Sequence, residues 1–120
     1  MFCLWHGRCL VATVERVDLL TTLEIIAFGL RTGWYAGLYR FDMSYWREED
    51  EDGGWIGGLA AWYDWCFPNR LSLTWTLPND NFINLAEHFL LTFEEAVYIF
   101  NYYPADDIAS VMGRVKEVFK

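Results

Sequence analysis

The order of hydrophobic and polar positions divides this chain into segments of contrasting period. Residues 2–16 are largely apolar and β-tolerant, with Val11, Thr13 and Val14 favouring a strand and His6-Gly7-Arg8 predicting a turn. From Asp18 to Leu30 the period becomes helical. Leu19, Leu23, Ile26 and Leu30 recur at spacings of four and three, while Thr22 and Glu24 lie on other faces. Asp18 is placed to accept the free amide hydrogens of the first turn as an N-cap, and Gly33 to stop the helix.

Strict alternation follows in Tyr39-Arg40-Phe41-Asp42-Met43-Ser44-Tyr45, the period of a half-buried strand. It runs into Glu48-Glu49-Asp50-Glu51-Asp52 and then Gly53-Gly54. Adjacent carboxylates repel one another and cannot be buried unpaired, so this run is an exposed loop or a helix approach. Between Trp55 and Cys66, the residues Trp55, Leu59, Trp62, Tyr63 and Cys66 share one helical face. The preceding acids would suit a helix N-terminus, and a helix is predicted despite Gly57 and Gly58.

Pro68-Asn69 ends that helix. Leu71, Leu73, Trp75 and Leu77 alternate with Ser72, Thr74 and Thr76, predicting a strand; Pro78-Asn79-Asp80-Asn81 reads as a turn, and Phe82 to Leu91 as the returning strand. Thr92-Phe93-Glu94-Glu95 fits a capping box that opens a helix running to about Tyr103 and stopped by Pro104. The last helix carries Ile108, Val111, Met112, Val115, Val118 and Phe119 on one stripe. Asp106 and Asp107 lie at its start, with Lys116 and Lys120 near its end, as the helix dipole favours. No internal repeat or linker interrupts the pattern. The prediction is a single α+β domain over residues 1–120, with a small antiparallel sheet packed against three to four helices.

Composition narrows the function classes. The chain has 120 residues, and its nine Lys+Arg against 17 Asp+Glu give a formal charge of −8. An apolar fraction of 54 % excludes a disordered acidic tail. No uninterrupted apolar run approaches the ~18 residues of a membrane helix, and scarce Lys and Arg argue against direct contact with nucleic acid. Three cysteines (Cys3, Cys9 and Cys66) are an odd number, which speaks against a disulfide framework. His6, Gly7 and Arg8 interrupt the apolar start, so no secretion signal is expected, and a reducing cytoplasm is the expected location.

Few constellations suggest chemistry. Cys3, His6 and Cys9 are spaced three apart, but a structural zinc site needs a closed tetrahedral ligand set, and only Cys66 and His88 could complete it. Core cysteines and a turn histidine are the simpler account, and no metal or cofactor is predicted. No nucleophile-elbow pattern accompanies the histidines. His88 beside Glu87 in the expected strand reads as structural, and Gly53-Gly54 and Gly57-Gly58 follow acids that would repel phosphate. No catalytic residue is assigned, and the chain is not read as an enzyme.

The acidic run remains. It is either a solvated loop or a surface for a basic partner, because clustered negative charge speeds encounter and neighbouring aromatics supply desolvated anchors. Trp46 and Trp55 flank it. Nuclease inhibitors use this combination, since a nuclease must present a basic cleft.

At this stretch the sequence resembles the immunity proteins of bacterial contact-dependent growth inhibition systems. The residues that carry the resemblance are Met43-Ser44-Tyr45-Trp46, Asp50, Trp55-Ile56 and Leu59. The family shares a hydrophobic-Ser-Tyr-Trp pattern, an Asp four after the Trp, a second Trp nine after it and a Leu four further on, as here. Trp75-Thr76-Leu77, a polar turn containing Asp80 and the segment from Phe82 to Leu91 give a looser match, with a shorter turn that lacks the family's Gly. The resemblance spans residues 39–91. It implies a small cytoplasmic protein that neutralises the toxic C-terminal domain of a cell-surface effector, often a nuclease, by occluding its active site or substrate surface. It carries no catalytic residues, and implies that Ser44, Tyr45, Trp46, Trp55, Leu59 and Trp75 are scaffold. By charge, Glu48, Glu49, Asp50, Glu51 and Asp52 are the residues expected to meet a basic toxin face. Two rival expectations are an acidic phage-type inhibitor of a nucleic-acid-binding defence complex and a small-ligand-binding α+β domain with an aromatic pocket.

Overall fold

A computed structural model describes residues 7–33, 38–71, 78–101 and 107–119. Helix α1 spans Gly7–Thr32, followed by strands β1 (Tyr39–Phe41), β2 (Arg47–Glu49) and β3 (Trp55–Gly57). Helices α2 (Leu59–Cys66), α3 (Pro78–Phe89), α4 (Phe93–Phe100) and α5 (Ile108–Val118) follow among the described residues. The α+β class holds, with five described helices rather than three to four and a mixed sheet rather than an antiparallel one. In the sheet order β1-β3-β2, β3 is central, parallel to β1 and antiparallel to β2.

From Gly7 onward the expected N-terminal strand is instead the start of α1, and residues 2–6 lie outside the described residues. Val11, Thr13 and Val14 are weak helix formers, but each costs a helix less than about 0.7 kcal/mol, too little to break a continuous 26-residue element. Asp18 therefore lies inside the helix and caps nothing; its carbonyl accepts the Thr22 hydroxyl at 2.9 Å, which lets that threonine be buried. Leu19, Leu23 and Ile26 enter the core as predicted, whereas Leu30 is exposed. Gly33 ends the helix at φ +66°, its amide donating to the Gly29 carbonyl at 2.8 Å.

The alternating segment from Tyr39 stops being a strand at Phe41. Asp42 competes for the backbone: its Oδ1 accepts the Ser44 amide at 2.9 Å and also the Ser44 hydroxyl, forming a turn that drops Met43 into the core. The predicted helix over 55–66 divides in two. Its first part is the central strand β3, because Gly57 packs where a Cβ would lie 2.7 Å from both the Ala61 Cβ and the Trp46 carbonyl oxygen. Helix α2 begins only after Gly58, and Leu59, Trp62 and Tyr63 are buried on it.

The largest correction concerns residues 78–91. The expected turn and return strand are helix α3, with His88 on it. Proline is well suited to the first helical position, and Phe82, Leu85, Ala86 and Phe89 are all buried at helical spacing. The part of the family resemblance that relied on a return strand here is therefore not matched. The preceding strand prediction, with Leu73 and Trp75, falls outside the described residues.

The capping box of α4 forms as read: the Glu95 amide donates to Thr92 Oγ1 at 3.1 Å, and the Thr92 amide to Glu95 Oε1 at 2.9 Å. This helix ends at Phe100, short of Tyr103. Asp107 caps α5, accepting the Ser110 amide at 2.8 Å, and Val111 and Val115 bury its stripe. The core lies among α1, α2, α3, α4 and α5, with α2 packed against the central strand β3, and includes Trp55, Trp62, Tyr63, Leu85, Phe89 and Ile99.

Candidate functional site

The acidic run is built as a hairpin. Antiparallel pairing sets Glu48 opposite Ile56 and Glu49 opposite Trp55. The connecting turn closes through the Asp50 amide on the Gly54 carbonyl at 2.8 Å, with Gly53 at φ +85°. Glu48, Glu49, Glu51 and Asp52 are exposed and Asp50 is half-buried. The run is thus an edge strand and its turn, not a helix approach.

Two of the five carboxylates have a cationic neighbour. Arg40 Nη2 lies 3.5 Å from Asp50 Oδ2, and Arg47 Nη2 lies 3.0 Å from Glu49 Oε1. Among the described residues no ion pair reaches Glu48, Glu51 or Asp52. Beneath the hairpin is an aromatic cluster. The Arg47 guanidinium stacks over Trp55 at 5.1 Å, and Trp55 contacts Trp62 at 5.1 Å and Tyr39 at 5.6 Å between ring centroids. Trp65 closes the cluster against Tyr39 at 5.2 Å and is 37 % exposed. Apolar stacking thus fixes the hairpin while its charges face solvent.

The residues that carry the family resemblance separate by burial. Trp55 and Leu59 are buried, Trp46 is half-buried against Phe82 at 5.2 Å, and Ser44 and Tyr45 are exposed. Trp75 lies outside the described residues. Met43, Tyr45, Trp46, Leu59, Phe82 and Phe100 surround a cavity of about 390 Å³ whose polar rim is Ser44 and Asn101.

A second polar constellation escaped the sequence reading. Glu15 Oε2 from α1 accepts the Tyr63 hydroxyl and lies 2.7 Å from His88 Nε2 of α3 and 3.2 Å from Arg70 Nη1. The same Arg70 atom pairs with Asp18. Burial disfavours the charged Glu15, but the Tyr63 hydroxyl, His88 and Arg70 outweigh it and hold its pKa below the usual value. Burial and the Glu15 carboxylate push the Tyr63 phenol well up, so it stays protonated and donates. His88 sits here because 78–89 is a helix; read as a strand, the segment gave no sign of its partners. The spacing of Glu15 and Asp18 along one helix face was the available signal.

Of the proposed Cys3-His6-Cys9 spacing, only Cys9 falls within a described element. Among the described residues no three His, Cys, Asp or Glu side chains converge on a point that could hold a metal ion. Burial pushes the Cys66 thiol pKa up, against a smaller opposing effect of its hydrogen bond with Thr22, so the thiol stays protonated. No described helix is long and apolar enough to cross a membrane. No protein-family model, curated protein or solved structure matches this chain.

Proposed function

We propose that this protein is an immunity protein that binds and neutralises the toxic C-terminal domain of a contact-dependent growth inhibition effector. The target domain is a nuclease with a basic surface, and the mechanism is occlusion of its active site or substrate surface, with no chemistry by the inhibitor. The observation that carries this reading is the exposed acidic hairpin, where Glu48, Glu51 and Asp52 have no counter-ion among the described residues and an aromatic cluster fixes the base. Clustered, unneutralised carboxylates accelerate encounter with a basic cleft, and the partly exposed Trp65 and Tyr45 supply apolar contact area. Neutralisation takes place in the cytoplasm, where such a toxin acts.

Co-expression tests the proposal. The C-terminal domain encoded immediately upstream should kill a host when expressed alone and be tolerated together with this protein. Toxicity that persists in its presence rejects the reading. A phage-operon neighbourhood would favour the rival inhibitor of a nucleic-acid-binding defence complex. The aromatic-lined cavity favours a second reading, a small-ligand-binding domain. Thermal stabilisation by a small aromatic compound, with no effect on the toxin, would support it.

A further inference from the structure

Helices α3 and α4 leave between them a shallow groove of about 490 Å³, lined by Ile83, Ala86, Glu87, Leu90, Leu91 and Phe93. Its apolar lining is unusually open: Ile83 is 49 %, Phe93 46 % and Leu90 37 % exposed. Isolated exposed apolar residues are ordinary, but three converging on one groove form a patch of the kind that marks an interaction surface.

Leu90 gives the groove a second distinguishing feature. Helix α3 ends in a Schellman turn, with the Leu91 amide on the Ala86 carbonyl at 2.8 Å and the Leu90 amide on the Glu87 carbonyl at 3.4 Å. The residue at the left-handed position of such a turn is usually Gly or Asn; here it is Leu90, at φ +52°. The unfavourable backbone conformation places a partly exposed leucine side chain in the groove.

Charge identifies the occupant. Glu87 lines the groove and Glu94 follows Phe93; both are exposed, and no ion pair reaches either among the described residues. Among the described residues Arg16 is a nearby cation, and its Nε and Nη2 are engaged by the carbonyls of Phe89 and Leu90 at 3.1 and 3.0 Å. An apolar floor with a carboxylate rim complements one chemistry best. We infer that the α3–α4 groove docks a cationic amphipathic helix of a protein partner, its apolar face on Ile83, Leu90 and Phe93 and its Lys or Arg side chains on Glu87 and Glu94. The inference rests on the reading of this chain as a partner-binding protein, but not on the acidic hairpin.

The test uses the full chain and a fluorescein-labelled Leu/Lys amphipathic peptide of about 14 residues, titrated by anisotropy at about 0.15 M salt, where distant charges are screened. Binding is expected, and the same peptide with Glu in place of Lys should not bind. The double variant Ile83→Ser, Phe93→Ser should weaken binding about tenfold, and Glu87→Lys about fivefold. Leu90→Gly relaxes the backbone while removing an anchor, so Tm should hold within a few degrees as affinity falls. Neutralising the hairpin with Glu48→Gln, Glu51→Gln and Asp52→Asn should change affinity less than about twofold. The inference is overturned by absence of binding, by equal binding in the groove variants, or by loss of binding on neutralising the hairpin instead. Self-association abolished by the groove variants would overturn it in favour of a second copy as the occupant. The co-expression experiment does not use this peptide, so the two proposals fail separately.

Discussion

His88 Nε2 lies 2.7 Å from Glu15 Oε2, and this contact joins α3 to α1 across a separation of 73 residues. The Tyr63 hydroxyl donates to the same carboxylate oxygen, which ties in α2, and Arg70 bridges Glu15 to Asp18. The Glu15 and His88 side chains are only 14 % and 15 % exposed, so solvent screens this cluster less than it screens the pairs on the hairpin.

The cluster makes stability depend on pH with a definite sign. Burial raises the Glu15 pKa, but the Tyr63 hydroxyl, His88 and Arg70 together bring it below its ordinary value of 4.5. A carboxyl whose pKa is lower in the folded state binds fewer protons there than in the unfolded chain. Its contribution is therefore complete above the ordinary Glu range and lost as pH falls through the folded value. Urea midpoints measured from pH 7 downward should decline on the acid side, and Glu15→Gln should flatten that decline while lowering the neutral-pH plateau. Tyr63→Phe should cost about 1.5–3 kcal/mol at pH 7, the scale of a hydrogen bond to a charged acceptor. An acid limb unchanged by Glu15→Gln would assign the dependence elsewhere.

Three glycines should respond to alanine in three different ways. At Gly54 a Cβ would stand 1.9 Å from the Leu38 carbonyl oxygen, a backbone atom that cannot move aside without displacing the sheet edge. Gly54→Ala should cost about 3 kcal/mol or more. At Gly53 there is open space but φ is +85°, so Gly53→Ala should cost only about 1 kcal/mol. Gly113 lies within α5 with nothing near its Cβ position, and Gly113→Ala should stabilise by about 0.5–1 kcal/mol. Denaturant unfolding of the three variants measures the ordering directly.

Thr92 and Glu95 satisfy each other's backbone amides, so their effects should be coupled. Thr92→Ala should cost about 1 kcal/mol, and the double variant with Glu95→Ala should cost less than the two single changes added together. Additive losses would mean that the two bonds act independently.

That capping box was legible in the sequence because four consecutive residues determine it. The stripes of α1 and α5 were legible for the same reason: one period repeats over several turns, and Leu19, Leu23, Ile26, Val111 and Val115 fall where it puts them. What failed were segments whose apolar residues suit two periods. Phe82, Leu85, Ala86 and Phe89 belong to a helix, yet with Ile83 and Leu90 they also form a short apolar run that resembles a buried strand. Trp55 and Leu59 share a nominal helix face, but close packing at Gly57 makes one a strand residue and the other a helix residue. The acidic hairpin could be located because its charge is contiguous. The Glu15–Tyr63–His88 cluster could not, because three separate elements supply it and the periods around two of its members, Glu15 and His88, suggest strands rather than helices.

The hairpin makes the sharpest kinetic prediction. Glu48, Glu51 and Asp52 are exposed and lack ion-pair partners among the described residues, so their field should act mainly on encounter with a basic partner rather than on the docked complex. Stopped-flow association with the upstream-encoded toxin domain should slow on the order of tenfold for the Glu48→Gln, Glu51→Gln, Asp52→Asn variant at about 20 mM salt. The difference should shrink toward unity near 0.5 M salt, where the Debye length falls to about 4 Å. The dissociation rate should change little, because solvated charges contribute little once the interface has formed. Neutralising Asp50 instead removes the partner of Arg40 but changes the net charge by the same single unit, so Asp50→Asn should slow association by about as much as the loss of one exposed carboxylate. An association rate unaffected at low salt would reduce the run to a solvated loop.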